Sequence, residues 1–93
     1  KMNYAICYEF KGCTQIVVDD SLRLHIYNNR EVAYNIVPKI ISGINNQLNA
    51  EYFSILGSGN NLSDERVARF VAIKNTIHVL ECVVDKPRKY NEQ

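Results

Sequence analysis

Apolar and polar residues alternate from the start of the chain. Tyr4, Ile6, Tyr8 and Phe10 fall on one side of an extended backbone and Ala5, Cys7 and Glu9 on the other, which predicts a strand over 3–10. Lys11-Gly12 supplies a turn, because glycine tolerates the positive φ that tight hairpin loops require. A second β-rich run over 14–19 carries Ile16, Val17 and Val18, and Asp19-Asp20-Ser21 is a turn cluster. Over 22–27, Leu22, Leu24 and Ile26 alternate with Arg23, His25 and Tyr27. The first third of the chain therefore reads as a three-stranded antiparallel meander.

The period then changes. Val32, Ala33, Ile36, Val37, Ile40, Ile41, Ile44 and Leu48 share one helical stripe behind Asn29, a residue suited to an N-cap. Pro38 opposes a continuous helix: in a helix interior it removes a hydrogen bond and clashes with the preceding turn, costing about 3 kcal/mol. It also pushes Val37 away from helical dihedrals. The competing reading is a hairpin across Asn28-Asn29, with Val32, Tyr34 and Ile36 on one strand face and Pro38 opening a shorter helix. The long periodicity favours the kinked helix, and both readings place a helix over about 39–48.

Residues 51–56 read as a strand, followed by the loop Gly57-Ser58-Gly59-Asn60-Asn61. Ser63 is placed to cap a helix with Asp64 and Glu65 in its first turn, Val67, Phe70 and Val71 as its buried stripe, and Asn75 as its stop. Residues 76–84 are apolar on both faces and suit a central strand, ended by Asp85 and Pro87. The expected fold is α+β. One small domain over 2–85 carries the meander, then helix–strand–helix–strand on one mixed sheet, with a polar tail over 86–93.

Bulk properties narrow the class. Ninety-three residues, 46% apolar and 23% charged, suit a single globular core without staples. The formal charge is +1 and the basic residues are scattered apart from Lys86, Arg88 and Lys89, which argues against a nucleic-acid-binding tail. Cys7, Cys13 and Cys82 lack metal-ligand spacing. Cys7 and Cys82 lie in apolar runs and read as packing residues, whereas Cys13, near the turn, reads as the exposed thiol. A Cys7–Cys82 disulfide would require adjacent strands and an oxidising compartment. No apolar run reaches the roughly 20 residues of a membrane helix, and no signal-peptide pattern opens the chain. A cytoplasmic protein without membrane contact is expected, with Met2 as the native start of a whole small protein.

Candidate chemistry is sparse. The Gly57, Ser58, Gly59 and Asn60 loop, between an expected strand and helix, offers backbone amides to an anion. It lacks the third glycine of a dinucleotide fingerprint and the Gly-Lys-Ser/Thr ending of a phosphate loop, so a plain connector is the competing reading. Glu9, Asp19 and Asp20, joined by Glu81 if the last strand lies beside the first, are oxygen ligands of the kind a hard divalent cation needs. Turn chemistry explains Asp19 and Asp20 equally well, and Glu81 could be exposed or paired with Arg66, Arg69 or Lys74. Arg23, His25 and Tyr27 share a strand face that, with Arg66 and Arg69, could bind nucleic acid or another partner by charge and stacking. The bland reading is a solvated face, with His25 and His78 as packed strand histidines.

The opening Tyr4-Ala-Ile-Cys-Tyr-Glu9-Phe10 resembles the first strand of the VapD-type ferredoxin-like ribonucleases, over under a tenth of the chain. In that family the strand typically ends in a metal-linked or catalytic Asp, where this chain has Glu9. The order expected over 51–84 is compatible with that fold, and the meander over 13–27 is not.

Two functions follow as expectations. The first is a non-enzymatic interaction module: a regulator, inhibitor or immunity-type protein, phage- or mobile-element-encoded, that binds a protein partner and needs no cofactor or metal. The second is a nucleic-acid-acting protein, either an RNA or DNA binder or a metal-dependent ferredoxin-like ribonuclease. Self-pairing of an edge strand into a homodimer is compatible with both.

Overall fold

The computed structural model describes the backbone of residues 2–58 and 65–83, and the side chains of 2–50 and 65–83. The elements run β1 (Asn3–Phe10), β2 (Cys13–Ile16), β3 (Ile26–Tyr27), α1 (Arg30–Ser58), α2 (Glu65–Thr76) and β4 (His78–Cys82). The architecture is α+β: an N-terminal antiparallel strand meander, two helices and a last strand on one open sheet.

β1 is the centre of the sheet. On one edge it pairs with β4, from Asn3 opposite Cys82 to Cys7 opposite His78. Its other edge is shared, with β2 beside Cys7–Phe10 and β3 beside Tyr4 and Ala5. Ile6 marks the change of partner, donating its N–H to the His25 carbonyl at 2.9 Å and accepting the Val17 N–H at 2.8 Å. One residue's N–H and C=O leave an antiparallel strand on the same side, so both partners lie on one edge. Between β1 and β2, Lys11 (φ 52°) and Gly12 (φ 78°) are both left-handed. Positive φ at both central residues is the hairpin turn whose hand matches strand twist, and it confirms the turn expected from the sequence.

The alternation of β1 divides its side chains between two faces. Ile6, Tyr8 and Phe10 join Val17, Ala33, Ile44 and Ile73 in the main core, with Ile36, Val37, Ile40 and Phe70 packed at its margin. Both helices therefore cover this face. The opposite face carries a smaller cluster of Ala5, Cys7 and Ile26 with Ile16, Leu24 and Cys82.

Several expectations are corrected. Residues 51–56 are not a strand but the continuation of α1. In the sequence, positions 52, 55 and 56 extend the three-and-four spacing of Ile44 and Leu48, a pattern that a short apolar run conceals. The helix also runs through Pro38, which decides against the hairpin over 30–37. Its start is the expected one: the Asn29 Oδ1 accepts the N–H of Glu31 at 2.8 Å and of Val32 at 3.2 Å. Val32 itself is exposed, as is Val71 of α2, whose buried positions are Val67 and Ile73. Among the described residues all strand pairs are antiparallel, so the sheet they form is not mixed. Among the described residues β4 pairs only with β1 and is an edge strand, not a central one. Its apolar residues divide instead between the two clusters, Val79 with the helices and Cys82 with the second face. Cys7 and Cys82 do lie on adjacent strands. Their register places them four residues apart, about 13 Å, and both are free thiols. Ser63, Asp64, Asn61 and the 86–93 tail lie outside the described residues.

Candidate functional site

β2 is only four residues long, and beyond Val17 the chain turns away from β1 into a loop that the Val18–Leu24 antiparallel bridge closes and that returns at His25. Asp19 organises this loop. Its carboxylate accepts the N–H groups of Ser21 at 2.8 Å and Arg23 at 2.9 Å, while its carbonyl accepts that of Leu22 at 3.0 Å. The cost is a left-handed Leu22, at φ 62°. A branched side chain with positive φ is a strained outlier, and here that side chain is also 50% exposed.

Two adjoining concavities open between the loop and the helices. The first, about 620 Å³, has Val18, Leu22 and Leu24 on one wall, Tyr8, Gln15 and Ile16 at its base, and Arg69, Phe70 and Ile73 opposite. The second, about 490 Å³, runs from Val17–Asp20 and His25 to Ile40, Gly43, Ile44 and Gln47 of α1 and Arg66 of α2. Val18, Phe70 and Ile73 border both, so the two are adjoining parts of a groove.

Arg69 sets the first wall. Its Nη1 donates to the Tyr8 hydroxyl and to Gln15 Oε1, both at 2.7 Å, and its guanidinium lies 4.5 Å from the Phe10 ring centre. A charge-assisted bond plus a cation–π contact fasten α2 to the β1–β2 hairpin. In the second concavity, His25 Nδ1 is 2.7 Å from the Tyr27 hydroxyl. Burial holds the His25 imidazole below its usual value, against an opposing pull from Asp19. Burial also pushes the Tyr27 phenol up, with Asp19 adding to it.

The structure thus gathers some candidates and separates others. Asp19, Asp20, His25, Arg66 and Arg69 all line the groove. Arg23 is exposed on the same loop, and Tyr27 stands behind His25, packed against the helix-side core. The expected solvated face of β3 is therefore half inside. The acidic residues do not converge. Glu81 sits opposite Tyr4, five residues along β1 from Glu9 and so about 17 Å away. Asp19 and Asp20 lie on the loop beyond the other edge, and among the described residues no three His, Cys, Asp or Glu side chains form a metal-holding group. Glu81 interrupts an apolar strand because it is exposed. Gly57 and Ser58 are the last residues of α1, so the strand–loop–helix setting that suggested an anion site is absent; Gly59 and Asn60 lie outside the described residues.

Sequence reasoning missed Leu22, Gln15 and Phe70 as groove residues. The one available signal was the leucine directly after the Asp19-Asp20-Ser21 turn cluster, a place where exposure is expected. Among the described residues no helix is long and apolar enough to cross a membrane. Comparison with known proteins yields no family model, no curated protein and no solved structure that matches this chain.

Proposed function

We propose that this chain is a small interaction module, a regulator, inhibitor or immunity-type protein, that binds a protein partner through the groove beside the 17–25 loop. The supporting observation is Leu22. Left-handed backbone costs a non-glycine residue roughly 1–2 kcal/mol, and an exposed leucine also leaves apolar surface in water. Strain and exposure coincide at the mouth of a groove whose walls include Val18, Leu24, Phe70 and Ile73. Charged Asp19, Asp20 and Arg66 stand at its other end. An apolar centre with a polar rim is the anatomy of a protein interface.

The test compares the wild-type chain with Leu22→Asp, both immobilised and exposed to an extract of the native host. A specific protein retained by the wild type and lost by the variant, with unchanged circular dichroism, is the expected result. Equal retention by both removes the groove from the reading. Salt-sensitive binding of labelled RNA or DNA without a protein partner would replace it by the nucleic-acid-binding reading. Mg²⁺- or Mn²⁺-dependent cleavage lost on Glu9→Gln would make the chain an enzyme.

A further inference from the structure

On the opposite side of β1 from the loop, a second arrangement joins β1, β2 and β4 and shares no residue with the groove lining. His78 Nδ1 lies 2.7 Å from the Thr76 carbonyl oxygen. A carbonyl only accepts, so Nδ1 carries the proton, and in the tautomer this selects the lone pair of a neutral ring is at Nε2. That nitrogen faces Glu9 Oε2 at 3.7 Å, too far for a hydrogen bond. A carboxylate oxygen and a ring nitrogen therefore stand within ion-pair distance of one another at the sheet surface.

Both groups are held from behind. The Thr14 hydroxyl lies 2.9 and 2.8 Å from the two Glu9 carboxylate oxygens. Thr76 Oγ1 accepts the Glu9 N–H at 2.8 Å and donates to the Ala72 carbonyl at 2.7 Å, fixing the backbone that orients His78. A ring nitrogen bonded to a backbone carbonyl and a hydrogen-bonded carboxylate are the outer partners that metal ligands characteristically have.

We propose that Glu9 and His78 form a binding site for a divalent transition ion of the zinc class, which clips the edge strand β4 to β1. Imidazole with carboxylate favours zinc, nickel or copper over magnesium or calcium. Bonds of about 2.0–2.2 Å at the tetrahedral angle bring the nitrogen and oxygen to roughly 3.4 Å, a small closure from 3.7 Å that two partly exposed side chains can make by rotation. Cys7 stands opposite His78 in the register, but its thiol is directed at the Ala5 carbonyl, 3.7 Å away. The site therefore supplies two protein ligands and leaves the remaining positions to water.

The test is calorimetric titration of the full chain with zinc chloride in a non-coordinating buffer, followed in parallel by the histidine ring signals in NMR. One ion per chain is expected, moving the His78 signals and leaving those of His25 in place. Affinity falls about tenfold or more in Glu9→Gln and His78→Gln, and about tenfold in Thr14→Val, which keeps both ligands and removes only the outer partner. Zinc raises the melting temperature of the wild type and not of Glu9→Gln. Absence of binding overturns the proposal. So does binding that survives Glu9→Gln and His78→Gln, or that is lost instead on Cys13→Ser, which would place the ion on the exposed thiol.

Discussion

Leu22 keeps its left-handed backbone because the Asp19 backbone and carboxylate claim N–H groups on both sides of it and at Leu22 itself. Glycine at this position would adopt the same φ without strain, so Leu22→Gly is expected to stabilise the chain by up to about 1 kcal/mol, offset partly by the greater freedom of the unfolded glycine. The urea midpoint measures this. If the groove binds a partner, the same variant loses that binding, so stability and function move in opposite directions. The cysteines give a second residue-scale expectation. Burial, with smaller contributions from Cys82 and Glu9, pushes the Cys7 thiol up to about 11, and its side chain is buried. Cys82 is half-buried and also shifted upward by burial, whereas Cys13 is exposed. Since the thiolate is the reactive form, iodoacetamide at neutral pH is expected to label Cys13 first, Cys82 slowly and Cys7 only on unfolding. Mass spectrometry of timed samples reads the order, and early labelling of Cys7 would contradict the packing described for the second cluster.

Among the elements, α1 shows most clearly what was legible and what was not. The Asn29 cap and the stripe from Ala33 to Ile44 could be read directly, because capping and a 3.6-residue period are local signals. The passage through Pro38 is favoured by the long periodicity but opposed by proline's local penalty, which the packing of the partly buried Ile36, Val37 and Ile40 on both sides of it overcomes. Pro38 is exposed, so Pro38→Ala restores an N–H to the helix without disturbing the core. It is expected to raise stability by about 1–3 kcal/mol. Asn29→Ala, which removes the cap, should lower it by about 1 kcal/mol. Chemical denaturation of the two variants separates these opposite signs. β4 misled for a different reason: an edge strand whose side chains enter two clusters is as apolar on both faces as a central one. The functional candidates were legible only as residue types. Asp19, His25, Arg66 and Arg69 share one groove because β2 stops at Ile16. Glu9 meets His78 because of the register of β1 against β4. Neither fact is present in local spacing.

At the scale of the whole molecule, the loop that shapes the groove also couples stability to acidity. His25 is held below its ordinary 6.5, first by burial, and Asp19 only partly offsets this. As pH falls through 6.5 the unfolded chain takes up this proton before the native one, so the native state loses stability until pH passes the folded value. Asp19 acts lower. Its carboxyl is held below the ordinary 3.8, chiefly by the Arg23 backbone N–H, against a smaller effect of burial, so its contribution is present above 3.8 and lost as pH falls through the folded value. Two stages of acid destabilisation are therefore expected, one starting near 6.5 and one below 3.8. Urea midpoints measured across this range test both. His25→Gln should flatten the first stage while leaving the second, because glutamine can still bond the Tyr27 hydroxyl but does not titrate. Asp19→Ala should lower stability at neutral pH and flatten the second, because it removes the acceptor that closes the loop. Since His25 also joins the loop to β1 through its backbone carbonyl, the first stage should loosen the 17–25 segment ahead of the core. Between the two stages, amide exchange at Val17 and His25 faster than at Ile77, whose N–H is held by the Ile73 carbonyl, would show that order, and simultaneous exchange of all three would show that the loop and the core unfold as one unit.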